Sequence, residues 1–200
     1  MTDSLCNIVR ATPGDSDQLL DILAEAFFPD PLIEFIVGEG KSPRSMFGMI
    51  LPAYLEHEHC FLNEDGSGAM MILPAGKRER LSPALLRLPQ YIRDFGWRGL
   101  ARSVQAASTL KPKHPSHPHY YLMAVGTLER SRGKGVGSAL LRTLTEICDD
   151  ARMPAYLENS KQENIAFYEG HGFELREQVR LGSNGPPVWL MDRQPRNPQH

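Results

Sequence analysis

Along the first third of the chain, apolar positions recur at helical intervals. Leu19, Leu20, Ile22, Leu23, Ala26 and Phe27 share one face of a helix that opens near Asp15. Residues 7–10 ahead of it have the composition of a short strand. In "FFPDP", Pro29 and Pro31 cannot continue that helix and are expected to end it. A second helical stretch covers roughly 44–57. "HCFLNEDGSGAMMILPAG" then reads as two strands around an Asp-Gly turn. Residues 83–110 are helical in pattern, with interruptions expected near Pro89 and Gly96. "KPKHPSHPH" is a proline-broken loop that divides the chain into two halves, about 1–118 and 119–193.

The second half is more regular. "YYLMAV" has strand composition, and Val136, Leu140, Thr143, Leu144, Ile147 and Ala151 fall on one helical face. "PAYLE" is a short strand. Ser160 and Glu163 have capping-box spacing at the head of a helix through Ile165, Ala166 and Phe167, which Gly170 and Gly172 can end. Phe173, Leu175, Val179 and Leu181 keep a period of two, "GSNGPP" turns, and "VWLM" returns as a last strand. Strands and helices therefore alternate in a mixed α/β chain.

Composition narrows the class. Two hundred residues, 41% hydrophobic and 23% charged, suit one globular domain with a sizeable core. A net charge of −2 gives no reason to expect nucleic acid as a partner, so an anion site would have to be local. No apolar run approaches transmembrane length and the opening "MTDSLCNIVRATPGD" lacks the order of a secretory leader. Cys6, Cys60 and Cys148 form no C-x-x-C pair, which favours reduced thiols and a cytoplasmic setting with no membrane.

One stretch supplies the local anion site. "RSRGKGVGSALL" sets Gly133, Gly135 and Gly137 and the cations Arg132 and Lys134 ahead of an apolar helical run. A helix opening near Gly137 aims unpaired N–H groups at the preceding loop, and the missing side chains let a phosphate reach the main chain. The Walker pattern fails, because no glycine here is followed by Lys and then Ser or Thr. The dinucleotide fingerprint would need glycine where Ser138 stands, although Glu158 lies about where a ribose-binding acid is expected. The third pattern, R/Q-x-x-G-x-G/A, is satisfied in full by Arg132, Gly135 and Gly137.

That pattern resembles the pyrophosphate loop of the GNAT acetyltransferase superfamily. The element order around it resembles that family too, and "NIAFYEGHGF" is similar to its block that opens on Asn and closes on Gly-Phe. Here the tyrosine follows Ala166 by only two residues. "NIVRATPGDSDQLLDILAEAF" resembles the family's opening strand and helix. "LMAVGTLERSRGKGVGSALL", "PAYLENSKQENIAFYEGHGF" and "GPPVWLM" are similar to the puromycin acetyltransferase group in particular.

The resemblance implies a GNAT-type mixed sheet splayed between its fourth and fifth strands, with helices on both faces, in a single domain over 1–200. It implies acetyl-CoA as co-substrate, no metal, and transfer of acetyl to an amine, more readily a small molecule than a protein tail. Val125 and Thr127 would bind the pantetheine arm through the strand edge, with Asn164 beside it. Arg132, Gly133, Lys134, Gly135, Val136, Gly137 and Ser138 would cradle the pyrophosphate. Tyr168 would protonate the leaving thiolate, and a strand N–H near Met123 would polarise the carbonyl. Glu158 is either the base for the incoming amine or a structural carboxylate. Phe28 and Asp30 stand where an acceptor would meet the first helix, and Asp30 serves equally as a helix cap. His114, His117 and His119, and His57 and His59, read as solvated loop residues. A coenzyme A-binding module without catalysis and a dinucleotide-dependent oxidoreductase are the rival classes, and both monomer and homodimer are compatible with the sequence.

Overall fold

A computed structural model describes residues 6–78 and 82–196. The start of the stretch read for a leader, and the ends of the 1–200 span, lie outside the described residues. Seven strands form one sheet: β1 (Ile8–Arg10), β2 (Cys60–Asn63), β3 (Gly68–Leu73), β4 (Tyr120–Thr127), β5 (Ala155–Asn159), β6 (Glu174–Arg180) and β7 (Pro187–Arg193). Their order is β1-β2-β3-β4-β5-β7-β6. Every pairing is antiparallel except β4 with β5.

Alternation along the strands feeds two apolar layers. Ala69, Met71, Tyr121, Tyr156 and Leu190 enter one, with α1 (Ser16–Ala26), α3 (Arg44–Leu55) and α4 (Ser82–Leu110). Met70, Ile72, Leu122, Leu157 and Met191 enter the other, beneath α5 (Val136–Ala151). α5 buries Val136, Ala139, Leu140, Leu141, Leu144 and Cys148. Helices thus cover both faces of the sheet.

The proline-rich turn departs from expectation. Pro29 and Pro31 do not simply end α1; Pro31 opens a further helix, α2 (Pro31–Val37). Its fixed φ suits a first helical position, and Asp30 caps it by accepting from Leu32 N at 3.0 Å and Ile33 N at 3.1 Å. α4 breaks at Gly96, whose φ of 68° and ψ of −178° are not helical. Pro89 lies inside the helix. The β2–β3 turn is tied by Asp65 Oδ1, which accepts from Asn63 Nδ2 at 2.6 Å and Ser67 N at 2.8 Å.

Candidate active site

β4 and β5 pair only at Tyr120–Ala155, Tyr121–Tyr156 and Leu122–Leu157. Beyond that point β4 remains bonded to β3, and β5 to β7. The edge of β4 over residues 123–127 therefore opens into a wedge with no strand on that side among the described residues. The parting begins at a bulge: Ile72 of β3 faces Leu122 and Met71 faces Ala124, so Met123 is the extra residue. Met123 and Ala124 consequently both turn toward the α1–α3 layer, which breaks the alternation. Val125 and Thr127, half-buried, lie on the open length.

β4 runs through a short turn, Glu129–Ser131, into the glycine loop. Gly133 and Gly135 have φ of 76° and 82°, and Gly135 is the N-cap of α5. A Cβ at either would meet no protein heavy atom within 4 Å, so within the chain these two glycines serve the left-handed backbone conformation rather than packing. Gly137 differs: a Cβ there would lie 3.3 Å from Phe167 Cζ and 3.7 Å from Thr127 Cγ2. At Gly137 the bare backbone seats the Phe167 ring. The first backbone bond at the head of α5 runs from Ala139 N to Gly135 O. The amides of Val136, Gly137 and Ser138 thus precede the helix's hydrogen-bond ladder. Arg132 pairs with Glu129 at 3.2 Å with both side chains exposed, and Lys134 is exposed.

Asn164 closes a short turn (Gln162–Asn164), and Tyr168 lies in α6 (Ile165–Glu169). The capping box expected of Ser160 and Glu163 is not formed. Lys161 stands at the head of that turn, and Ser160 Oγ donates instead to Asp30 Oδ2. Asp30 therefore holds α2 with one oxygen and the end of β5 with the other, and is only 4% exposed. Phe28 nearby is 50% exposed. Tyr168 packs its ring at 6.1 Å from that of Phe173. Burial, helped by the Asp30 carboxylate, raises its phenol above the ordinary tyrosine value.

Glu158 lies in β5, next to the splay, with its side chain only 9% exposed. Tyr121 donates its hydroxyl to Oε2 at 3.0 Å and Tyr156 donates to Oε1 at 3.1 Å. His114 Nε2 stands 3.3 Å from Oε1. His114 was expected among solvated loop residues; its ring lies 4.6 Å from those of both Tyr121 and Tyr156. Three partners of Glu158 thus escaped the sequence reading. The one available signal was the aromatic and imidazole richness of "KHPSHPHYY". Among the described residues, no group of three or more His, Cys, Asp and Glu side chains could hold a metal ion.

Superposition on solved structures settles the architecture. A Corynebacterium glutamicum protein described as histone acetyltransferase HPA2 and related acetyltransferase aligns with a TM-score of 0.67 at 21% identity, over 97% of this chain and 98% of that one. This is the GNAT fold. An Aedes aegypti arylalkylamine N-acetyltransferase aligns at 0.64 and 14% identity, over 94% and 98% of the two chains. A Drosophila melanogaster polyamine N-acetyltransferase, described as forming N-acetylagmatine, aligns at 0.65 and 15%, over 94% and 100%. Residues 99–173 match the acetyltransferase (GNAT) family model, which takes in the open strand, the glycine loop, α5 and α6. An uncharacterized N-acetyltransferase of Schizosaccharomyces pombe is 33% identical over 78 residues, 38% of this chain. The match spans 32% of that relative's length. The GNAT sequence signal is therefore concentrated in the half that carries the loop. No described helix is long and apolar enough to cross a membrane.

Proposed function

We propose that this protein transfers an acetyl group from acetyl-CoA to the amine of a small molecule by direct attack on the thioester, within one domain over 1–200. The observation that carries this is the open β4 edge running straight into a loop whose helix-head amides are free of the α5 ladder. In this reading the edge at Val125 and Thr127, with Asn164, holds the pantetheine arm. The backbone from Arg132 to Ser138 receives the pyrophosphate, with Arg132 and Lys134 adding charge. Acetyl-CoA supplies an activated acyl group; the chain orients it and handles the protons.

Tyr168, with its pKa raised, stays a phenol at neutral pH and donates its hydrogen to the departing thiolate. The N–H at the Met123 bulge serves the carbonyl oxygen. Glu158 takes the proton that the acceptor ammonium must lose. Phe28 lines the acceptor side, and Asp30 acts there by fixing α2 against β5. Small-amine acceptors fit the agmatine and arylalkylamine substrates in the neighbours' names. A cytoplasmic setting fits three free cysteines, two of them pushed up to about 12 by burial and so kept as inert thiols.

Acetyl-CoA should raise the melting temperature in a concentration-dependent way, because a ligand that binds only the native state stabilises it by mass action. ATP and NAD should do so far less. Equal shifts from all three would mean generic phosphate binding and end the specific reading.

A further inference from the structure

The second limb of α4, residues 97–110, begins after the break at Gly96. One side of this limb is anchored in the molecule. Gly99, Ala106 and Leu110 are buried there. Arg102 Nη1 donates to the Phe35 carbonyl at 3.0 Å, and its guanidinium sits 5.2 Å over the Phe35 ring. The other side faces water. Trp97 is 71% exposed and Val104 61%, and Ala101 and Ser108 on the same face are exposed too. Positions 97, 101, 104 and 108 step by four, three and four, which is the rhythm of a coiled-coil seam. The limb thus has a core face and, opposite it, a second packing face that the chain's own core does not use.

That second face carries both a knob and a hole. Beyond Trp97 a shallow hollow of about 450 Å³ is lined by Val104, Ala107, Ser108, Lys111 and Pro112. Helical geometry puts Trp97 and the middle of this hollow, at Ser108, on one side of the limb, three turns apart. A knob and a hole on the same face complement each other only in a second, reversed copy.

We propose that a second copy of this chain covers the seam, the two α4 limbs running antiparallel about a two-fold axis between Ala101 and Val104. In this register each Trp97 meets the partner's Ser108 and fills the partner's hollow, while Ala101 meets the partner's Val104. The flanks agree with the same register. Arg98 comes within side-chain reach of the partner's Gln105, whose amide oxygen can accept from a guanidinium. Half-buried Leu100 lies beside the partner's Ala107. Lys111, at the rim of the hollow, brings its ammonium to the incoming indole, a favourable cation–aromatic contact. Because the contact is isologous, it closes at two copies and leaves no seam open for a third. The two indoles bury roughly 200–350 Å² between them. The seam as a whole therefore stands at the small end of specific interfaces, below about 1,200 Å², and the dimer depends on concentration.

Sedimentation equilibrium on the full-length protein over roughly 5–500 µM, a range suited to a small interface, should show a reversible monomer–dimer equilibrium. Trp97→Glu places a carboxylate in each apolar hollow and should leave only monomer. Its circular dichroism and melting temperature in dilute solution should match the parent's, because the side chain is mostly exposed. A parent that stays monomeric over the whole range, or a Trp97→Glu variant that dimerises like the parent, would overturn the proposal. Oxidative cross-linking tests the register in a Cys6→Ser background, which removes the native cysteine that is not buried. A mixture of Ala101→Cys and Val104→Cys chains should give more of the mixed disulfide than of either self-paired one. Stronger self-pairing would mean parallel helices and sink the antiparallel seam. Vesicles containing phosphatidylserine supply the last arm. Trp97-dependent flotation with them, in a protein that forms no dimer, would assign the seam to a lipid surface and also overturn the proposal.

Discussion

In the proposed mechanism the Tyr168 phenol is the proton donor to the departing thiolate. Its pKa is raised by desolvation and by the Asp30 charge, so the hydroxyl keeps its hydrogen at any ordinary working pH. Tyr168→Phe leaves the ring to pack on Phe173 and removes only that hydrogen. An interaction made only in the transition state lowers kcat and kcat/KM together. The expected loss is on the order of 10²-fold, the modest end for a proton donor, because a thiolate already leaves well. Acetyl-CoA affinity should stay within a few-fold, and steady-state kinetics beside cofactor titration checks both. Full activity in the variant would remove Tyr168 from the mechanism. Tyr168 and Glu158 could be singled out as candidates because they stand in or beside local motifs. The partners of Glu158 were not: Tyr121 and Tyr156 are ordinary strand residues, and His114 sits in a loop whose prolines suggest solvent. Only the pairing of β4 with β5 brings the four together.

Elements followed the hydrophobic pattern wherever one face was buried, as in α1 and α5. They departed from it where a single residue had two possible roles. Pro31 breaks a helix from within but starts one at the first position, and only the Asp30 cap decides between them. Ser160 has capping-box spacing, yet Asp30 competes for its hydroxyl and wins. No local pattern announces the splay, which depends on where β5 stops pairing. A close approach of β3 and α5 positions the glycine loop. A Cβ on Gly68 would lie 2.6 Å from Val136 Cγ1 and 3.1 Å from Leu140 Cδ1. Gly68→Ala should therefore push the head of α5 outward and cost roughly 1–3 kcal/mol as overpacking. Denaturant unfolding measures the loss. Acetyl-CoA affinity should fall with it, because the displaced residues are those that lead the helix; unchanged affinity in the folded variant would separate α5 from the phosphate site.

Across the whole molecule, one buried ion pair joins the far end of α5 to the last strand. Arg193, its side chain 3% exposed, donates Nη1 and Nη2 to the two oxygens of Asp149 at 2.8 and 2.7 Å. Asp149→Asn would strand that guanidinium, at a cost of roughly 3 kcal/mol. The Arg193 hydrogen bonds hold the Asp149 carboxyl below the usual aspartate value. A depressed folded pKa means that the stabilisation is complete above the unfolded value and lost as pH falls through the folded one. The gap in melting temperature between parent and variant should accordingly be full at neutral pH and close in acid; a gap independent of pH would contradict the pairing. Such ties keep the wedge and its loop in register for the chemistry proposed. The most direct measurement of that chemistry is free-thiol release from acetyl-CoA in the presence of a broad panel of small amines. Amine-dependent release, matched by formation of the acetylated amine, is the predicted result. Tight acetyl-CoA binding with no amine-dependent release across the panel would contradict it and leave a coenzyme A-binding protein without transferase activity.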